Sequence, residues 1–261
     1  MELWLLNHLP TAVLALLVVG GTVLLAVAGS VLAMRWFPAL ADGENNDMVG
    51  VVLGMFGAIY GIILAFVIVN LWTDLQDAGT VVSSEASAVS QIVRDAECFP
   101  PGPRDAVQAA VGGYVHAVVE DQWPLMRAGD GDSAVTTRSV DAMYRALADY
   151  EPRTNAEQAF YAKALDSLNE VAAYRRTRIA DSRDQLPVLL QMLIFGGAAV
   201  IMLVTLLYGV RSRRARILFV GSVAALVGFS LLLVLVLDRP FSGDLDVSPQ
   251  PFKDSALARF W

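Results

Sequence analysis

The chain has 261 residues, 56% of them hydrophobic and 17% charged, whereas an ordinary soluble domain is nearer half apolar and a quarter charged. Its 19 basic residues against 26 acidic ones leave a net charge of -7, the wrong sign for wrapping a phosphate backbone, so nucleic acid is excluded as an expected partner. One cysteine, Cys98, and two distant histidines, His8 and His116, offer neither an internal disulfide nor zinc-ligand spacing.

The apolar residues concentrate in four blocks. Thr11 to Met34 is an uncharged run, long enough at about 1.5 Å per residue to cross a hydrocarbon core of about 30 Å. It lacks a basic leader and a small-residue cleavage site, which reads as a retained span rather than a signal peptide. Met48 to Trp72 is the second span, Pro187 to Val210 the third and Ala215 to Leu237 the fourth, with Arg216 intruding at the edge of the last. Short links join spans one and two, and spans three and four, so each pair is expected to be an antiparallel, adjacent hairpin.

Residues 73–186 carry apolar positions at helical spacing and predict a small extramembrane helical module. Its first helix continues out of span two until Phe99–Pro103 stops it. A second places Val107, Val111, Tyr114, Val115 and Val118 on one face and ends near Trp123 and Pro124. A third carries Val140, Met143, Tyr144 and Leu147, and Thr154 with Glu157 forms a capping box that opens a fourth. The expected fold class is an all-α membrane protein: a first transmembrane hairpin over 1–72, the module over 73–186, a second hairpin over 187–237 and an interfacial tail over 238–261.

Arg211, Arg213, Arg214 and Arg216 crowd the link between spans three and four, and short loops of such density are held in the cytoplasm. Four crossings then put both termini and the module outside a bacterial plasma membrane. Arg175, Arg176, Arg178 and Arg183, on the module side of span three, read as a solvated helix face pairing with Asp181 and Asp184 or meeting lipid phosphates.

Within span two, Gly50, Gly54, Gly57, Gly61 and Ala65 recur at intervals of three and four and share a helix face. A stripe of small residues lets two helices approach closely. It either packs inside one protomer or faces the axis of an oligomer and lines a narrow path. Tyr60 and Asn70 add polar groups, Asn70 as a helix-terminus partner or an ion contact, and Asp42, Glu44 and Asp47 stand at the opposite mouth. No span carries an ionisable group near its centre, which disfavours a proton pump or charge-coupled transporter. No nucleophile beside a base, paired carboxylates, HExxH or phosphate-cradling loop appears, so the chain is not expected to be an enzyme, and no cofactor or metal is expected.

After span four, LDRPFSGDLDVSPQPF reads as a helix stop: Pro240 cannot continue the helix and Gly243 permits a turn. Asp238, Arg239, Asp244 and Asp246 are its candidate residues, either packing the tail, with Arg239 bridging to an acidic residue, or forming an oxygen-rich cation site. Cys98 reads as a buried small residue, and Trp72 and Trp261 as interfacial anchors.

That string, together with LAFVIVNLW and SSEASAV within positions 64 to 89 and VEDQWPLM at 119 to 126, resembles the bacterial bestrophin-like domain family, from span two to the tail. The resemblance implies four spans and a distant likeness to bestrophins, pentameric anion channels whose pore is lined by the second span and whose module is cytoplasmic. The resulting expectation is a homo-oligomeric membrane protein in a lipid bilayer, an ion channel with span two on the axis and small ions passing. The alternative is a non-conducting sensor or scaffold whose module binds an extracytoplasmic partner.

Overall fold

The computed structural model describes residues 7–36, 43, 46–210 and 212–261. Among them there are helices and loops but no strand. The chain divides into two compact units, one formed by Met1–Thr73 with Gln185–Asp238 and the other by Asp74–Asp184 with Arg239–Trp261.

The first unit holds α1 (Thr11–Trp36), the leading part of α2 (Asn46–Ala96), α7 (Val188–Leu206) and α8 (Arg213–Leu237). Each of these segments is long and apolar enough to cross a bilayer, and much of their apolar surface is exposed, including Leu24, Leu25, Ile62, Phe66 and Leu189. With backbone polar groups satisfied inside helices and side chains apolar all round, such segments belong in lipid. The chain is a multi-pass membrane protein.

The close partner of α1 is α8, not span two. Leu14 packs with Leu232 and Val236, Ala26 with Val220 and Ala224, and a Cβ on Gly228 would stand 3.2 Å from Val19 and Thr22. Without hydrophobic drive in lipid, small residues at a crossing decide which helices approach. The glycine at 228 outweighs the short link that joins spans one and two in sequence. Span two meets α7 instead: Tyr60 donates to the Ile194 carbonyl at 2.9 Å, and its ring lies where a Cβ on Gly197 would be 2.6 Å away.

The second unit is a helical module with a continuous core. The trailing part of α2 ends at Ala96, before the proline-rich turn. Then follow α3 (Pro101–His116), a π-helical turn over Ala117–Gln122, α4 (Trp123–Arg127), α5 (Ala134–Ala148) and α6 (Asn155–Arg183). Thr154 accepts from the Glu157 N–H at 3.1 Å, and the Glu157 carboxylate accepts from the Arg153 N–H at 2.8 Å, satisfying donors that open α6.

The tail from Arg239 folds into this module's core. Phe241, Phe252 and Leu257 are buried with Trp123, Val118 and Leu168, and Gly243 turns the chain with φ 91°, a backbone region that favours glycine. Trp261, exposed at the end of the tail, donates from Nε1 to the Phe252 carbonyl at 3.1 Å and rests its ring on His116, 4.4 Å between centroids. Cys98, expected inside, is exposed.

Candidate functional site

Of the residues that the sequence singles out in span two, the glycines are those its own protomer leaves open. A Cβ added at Gly54, Gly57 or Gly61 would meet nothing within 4 Å, and at Gly50 only the Tyr208 ring at 3.7 Å. The helix face that does pack carries Tyr60, Leu64, Val67 and Leu71. The stripe is therefore not used for close packing among the described residues of this chain. Ala65 is exposed on the same side. Asn70 is exposed too, but at about 100° per residue it falls about 160° round the helix from Gly50, so it does not share a face with the glycines. Asp47 is exposed, whereas Asp42, Glu44 and Arg211 lie outside the described residues.

The tail carboxylates do not assemble a cation site. Asp238 ends α8 and accepts from the Leu186 N–H at 2.8 Å. Asp246 pairs with Arg127, whose Nε donates at 3.0 Å, while Ser242 donates to the Arg127 carbonyl at 2.9 Å. Among the described residues no group of three or more His, Cys, Asp or Glu side chains, Asp244 included, stands at metal-holding distance. Arg239 is buried, its Nε is without a hydrogen-bond partner, and among the described residues no carboxylate bridges to it.

The most organised polar constellation is one that the sequence reading passed over. Glu85 on α2 and Arg178 on α6 are both completely buried. The Arg178 Nε donates to Glu85 Oε2 at 2.7 Å and Nη2 to Oε1 at 3.0 Å, a two-point pairing matched to the planar fork of a guanidinium. Nη2 also donates to Gln122 Oε1 at 3.0 Å and Nη1 to the Met126 sulfur at 2.9 Å. The Tyr114 hydroxyl donates to Glu85 Oε1. Trp123 and Phe252 present their rings to the guanidinium, with centroids 5.6 and 5.9 Å from Cζ.

Four helices and the tail therefore converge on one charge. Burial opposes ionisation of Arg178, but Glu85 and the hydrogen bonds together hold its pKa above the ordinary arginine value. Burial, and then the Glu85 carboxylate, push the Tyr114 hydroxyl well above the ordinary tyrosine value, so it remains a proton donor to Glu85.

The π-helical turn is what brings Gln122 to this cluster. Pro124 has no N–H to give the Glu120 carbonyl and its ring crowds that turn, and a widened turn is a usual relief. Gln122 is fully buried as a result, and its Nε2 donates to the Gly131 carbonyl at 2.9 Å.

Arg178 is thus no solvated face residue. It follows Ala164, Leu168 and Val171, all buried, at the spacing of one apolar stripe. Glu85 likewise interrupts the stripe of Ala78, Val82, Val89 and Ile92. A charge at an apolar position on each of two helices was the available signal. Of the neighbouring arginines, Arg183 meets Asp130 at 3.3 Å and Arg175 donates to Thr137 at 2.9 Å.

An open groove of about 1010 Å³ runs along the outer face of α2 in this unit, lined by Gln76, Asp77, Thr80, Ser83, Ser87 and Glu170 among others. Three of its hydroxyls point their protons inward: Thr80, Ser83 and Ser87 donate to carbonyls four residues back, at 3.0, 2.9 and 2.8 Å. The groove thus presents hydroxyl lone pairs and the Asp77 and Glu170 carboxylates alongside the Gln76 and Gln91 amides and Tyr174.

A family model described as Bestrophin-like domain matches residues 20–252, most of the chain. No curated protein and no solved structure matches it.

Proposed function

The chain belongs to the Bestrophin-like family, and from that footing we propose that it works as a homo-oligomeric ion channel whose copies gather with the Gly50–Ala65 face of α2 toward a shared axis. The observation that carries this reading is the open stripe: Gly54, Gly57 and Gly61 have free space around them, while the same helix buries another face against its own protomer. A run of glycines in a helix is unfavourable on its own, and it gains dispersion contacts only when another helix comes close. The module outside a bacterial plasma membrane and a pentameric count complete the picture. In it the outer face of α2 beyond Thr73 lines a vestibule, and Asn70 serves in packing rather than on the axis.

Ion flux through liposomes that contain the purified protein tests the reading. Flux should exceed that of empty liposomes, and Gly57→Leu should alter it while oligomers persist in cross-linking. Silence across cations and anions with intact oligomers would favour the second reading, a non-conducting sensor or scaffold. That reading has the polar groove between Gln76 and Gln91 in its favour, a surface suited to an extracytoplasmic partner that hydrogen-bonds.

A further inference from the structure

We propose that the arginine end of the α1–α8 pair binds the phosphate of an anionic phospholipid, with Arg216 as its deepest ligand. The argument starts from register. Leu14 lies against Leu232 and Val236, and Ala26 against Val220 and Ala224, so α1 and α8 are antiparallel. One further turn of each helix brings Ser30 level with Arg216, and the next brings Arg35 level with Arg213 and Arg214. Arg216 is 3% exposed, and none of its three guanidinium nitrogens has a hydrogen-bond partner. Ser30 is buried beside the same end, and its hydroxyl oxygen is also without a partner. Arg35, Arg213 and Arg214 are exposed, and among the described residues no ion pair involves any of the four arginines.

A guanidinium removed from water without a counter-charge is among the costliest groups that a fold can hold, more so at the edge of a span. Its position one turn inside the amino-terminal end of α8 adds to the cost, because that end carries partial positive charge. Each of these features becomes favourable when an oxyanion arrives: the fork of Arg216 matches phosphate oxygens, Ser30 supplies a hydroxyl, and the start of α8 supplies its dipole.

A lipid rather than a free anion is indicated by what lies alongside. Ile217 and Leu218 follow Arg216 directly, and Val31 and Leu32 precede Arg35; all four are exposed apolar side chains. Positive charge capping an exposed apolar surface at the end of a span suits a headgroup with acyl chains beside it. Because Arg216 itself is covered, binding requires the exposed rim to part, and the lipid should exchange slowly.

The test uses the full chain in a mild non-ionic detergent with added phosphatidylglycerol, phosphatidylcholine or inorganic phosphate, read by thermal melting and by native mass spectrometry. Phosphatidylglycerol should raise the melting temperature and remain bound through detergent washing, and the other two should do neither. Arg216→Gln should need about tenfold more phosphatidylglycerol for the same rise, the loss of a charge-assisted contact. Without lipid it should melt no lower than the wild type, since it removes an unpaired buried charge. Ser30→Ala should show a smaller loss, which keeps the test open if Arg216→Gln folds poorly, and Arg94→Gln in the other unit should show none.

Equal protection by phosphatidylcholine or by inorganic phosphate would overturn the proposal. So would wild-type affinity in Arg216→Gln. A loss of oligomers in Arg216→Gln with unchanged lipid binding would do the same, assigning the guanidinium to a carboxylate of a second copy.

Discussion

Arg178 in one unit and Arg216 in the other are both buried on long helices, and the two are treated in opposite ways. Arg178 is met by a carboxylate, an amide, a thioether and two aromatic rings of its own unit. Arg216 has no hydrogen-bond partner among the described residues. The same contrast runs through the rest of the two units: one buries Val82, Ile92, Tyr114, Leu168 and Phe252 in a single core, whereas the other leaves Leu24, Ile62, Leu189 and three stripe glycines uncovered. A fold surrounded by water satisfies most of its buried charge internally, and what the module leaves over is single atoms such as Arg239 Nε and Asp95 Oδ2. A fold surrounded by lipid can leave both apolar faces and selected charges for its environment or for further copies to complete.

The largest expected effect comes from breaking the closed side of this contrast. Glu85→Gln keeps shape but strands the Arg178 charge, and should destabilise the protein by about 3–5 kcal/mol, measured by thermal or denaturant unfolding of the full chain in detergent. Pairing Glu85→Leu with Arg178→Met should cost less than either single change, because a stranded charge is worse than none. If the singles and the double unfold together, the cluster holds the module by packing alone.

A smaller effect distinguishes glycines that are used from glycines that are free. At Gly197 an added side chain runs into the Tyr60 ring, 2.6 Å from the Cβ position. Gly197→Val should therefore cost about 1–3 kcal/mol and lower the melting temperature of the solubilised protein. Gly57→Val enters open space and should leave that temperature unchanged in dissociated protomers, with oligomers still forming in cross-linking. Equal melting of the two variants would mean that the stripe is already packed.

These two glycines also mark how far the sequence could be read. Spans, module and caps were legible, because length, hydropathy and the Thr154–Glu157 spacing are local properties of the chain. Which span packs on which was not: the pairing of α1 with α8 depends on Gly228 meeting Thr22 and Val19, residues far apart in sequence with nothing local to link them. The Glu85–Arg178 pair was half visible. Each interrupts an apolar stripe, and Glu85, Gln122, Trp123, Met126, Phe241 and Phe252 all fall inside the strings that carried the family resemblance. Their convergence needed the fold, since a charge on an apolar face looks solvated until its partner from another helix is placed.

At the start of α6, Thr154→Ala removes the acceptor for the Glu157 N–H and should cost about 1 kcal/mol, seen as a modest fall in melting temperature. The same change placed at Thr80, whose hydroxyl only returns to its own helix, should cost less and serves as the comparison.

The smallest effect is a dependence on pH with two signs. Burial first, and then the carboxylates of Asp184 and its neighbours, raise the pKa of Asp74 and Asp181. The folded module thus takes up these protons before the unfolded chain does, and acidification from neutrality toward the ordinary carboxylate value of about 4 should strengthen it. Glu157 works the other way. The Arg153 N–H and the Tyr150 hydroxyl lower its pKa, so its contribution is present above the ordinary value and is lost as pH falls through the lowered one. Melting temperature should rise on mild acidification and fall on stronger acidification. Asp181→Asn should flatten the rise and Glu157→Gln the fall. A wild-type curve that only descends from neutrality, with Asp181→Asn parallel to it, would show that the aspartates between α2 and α6 do not repel one another in the folded protein.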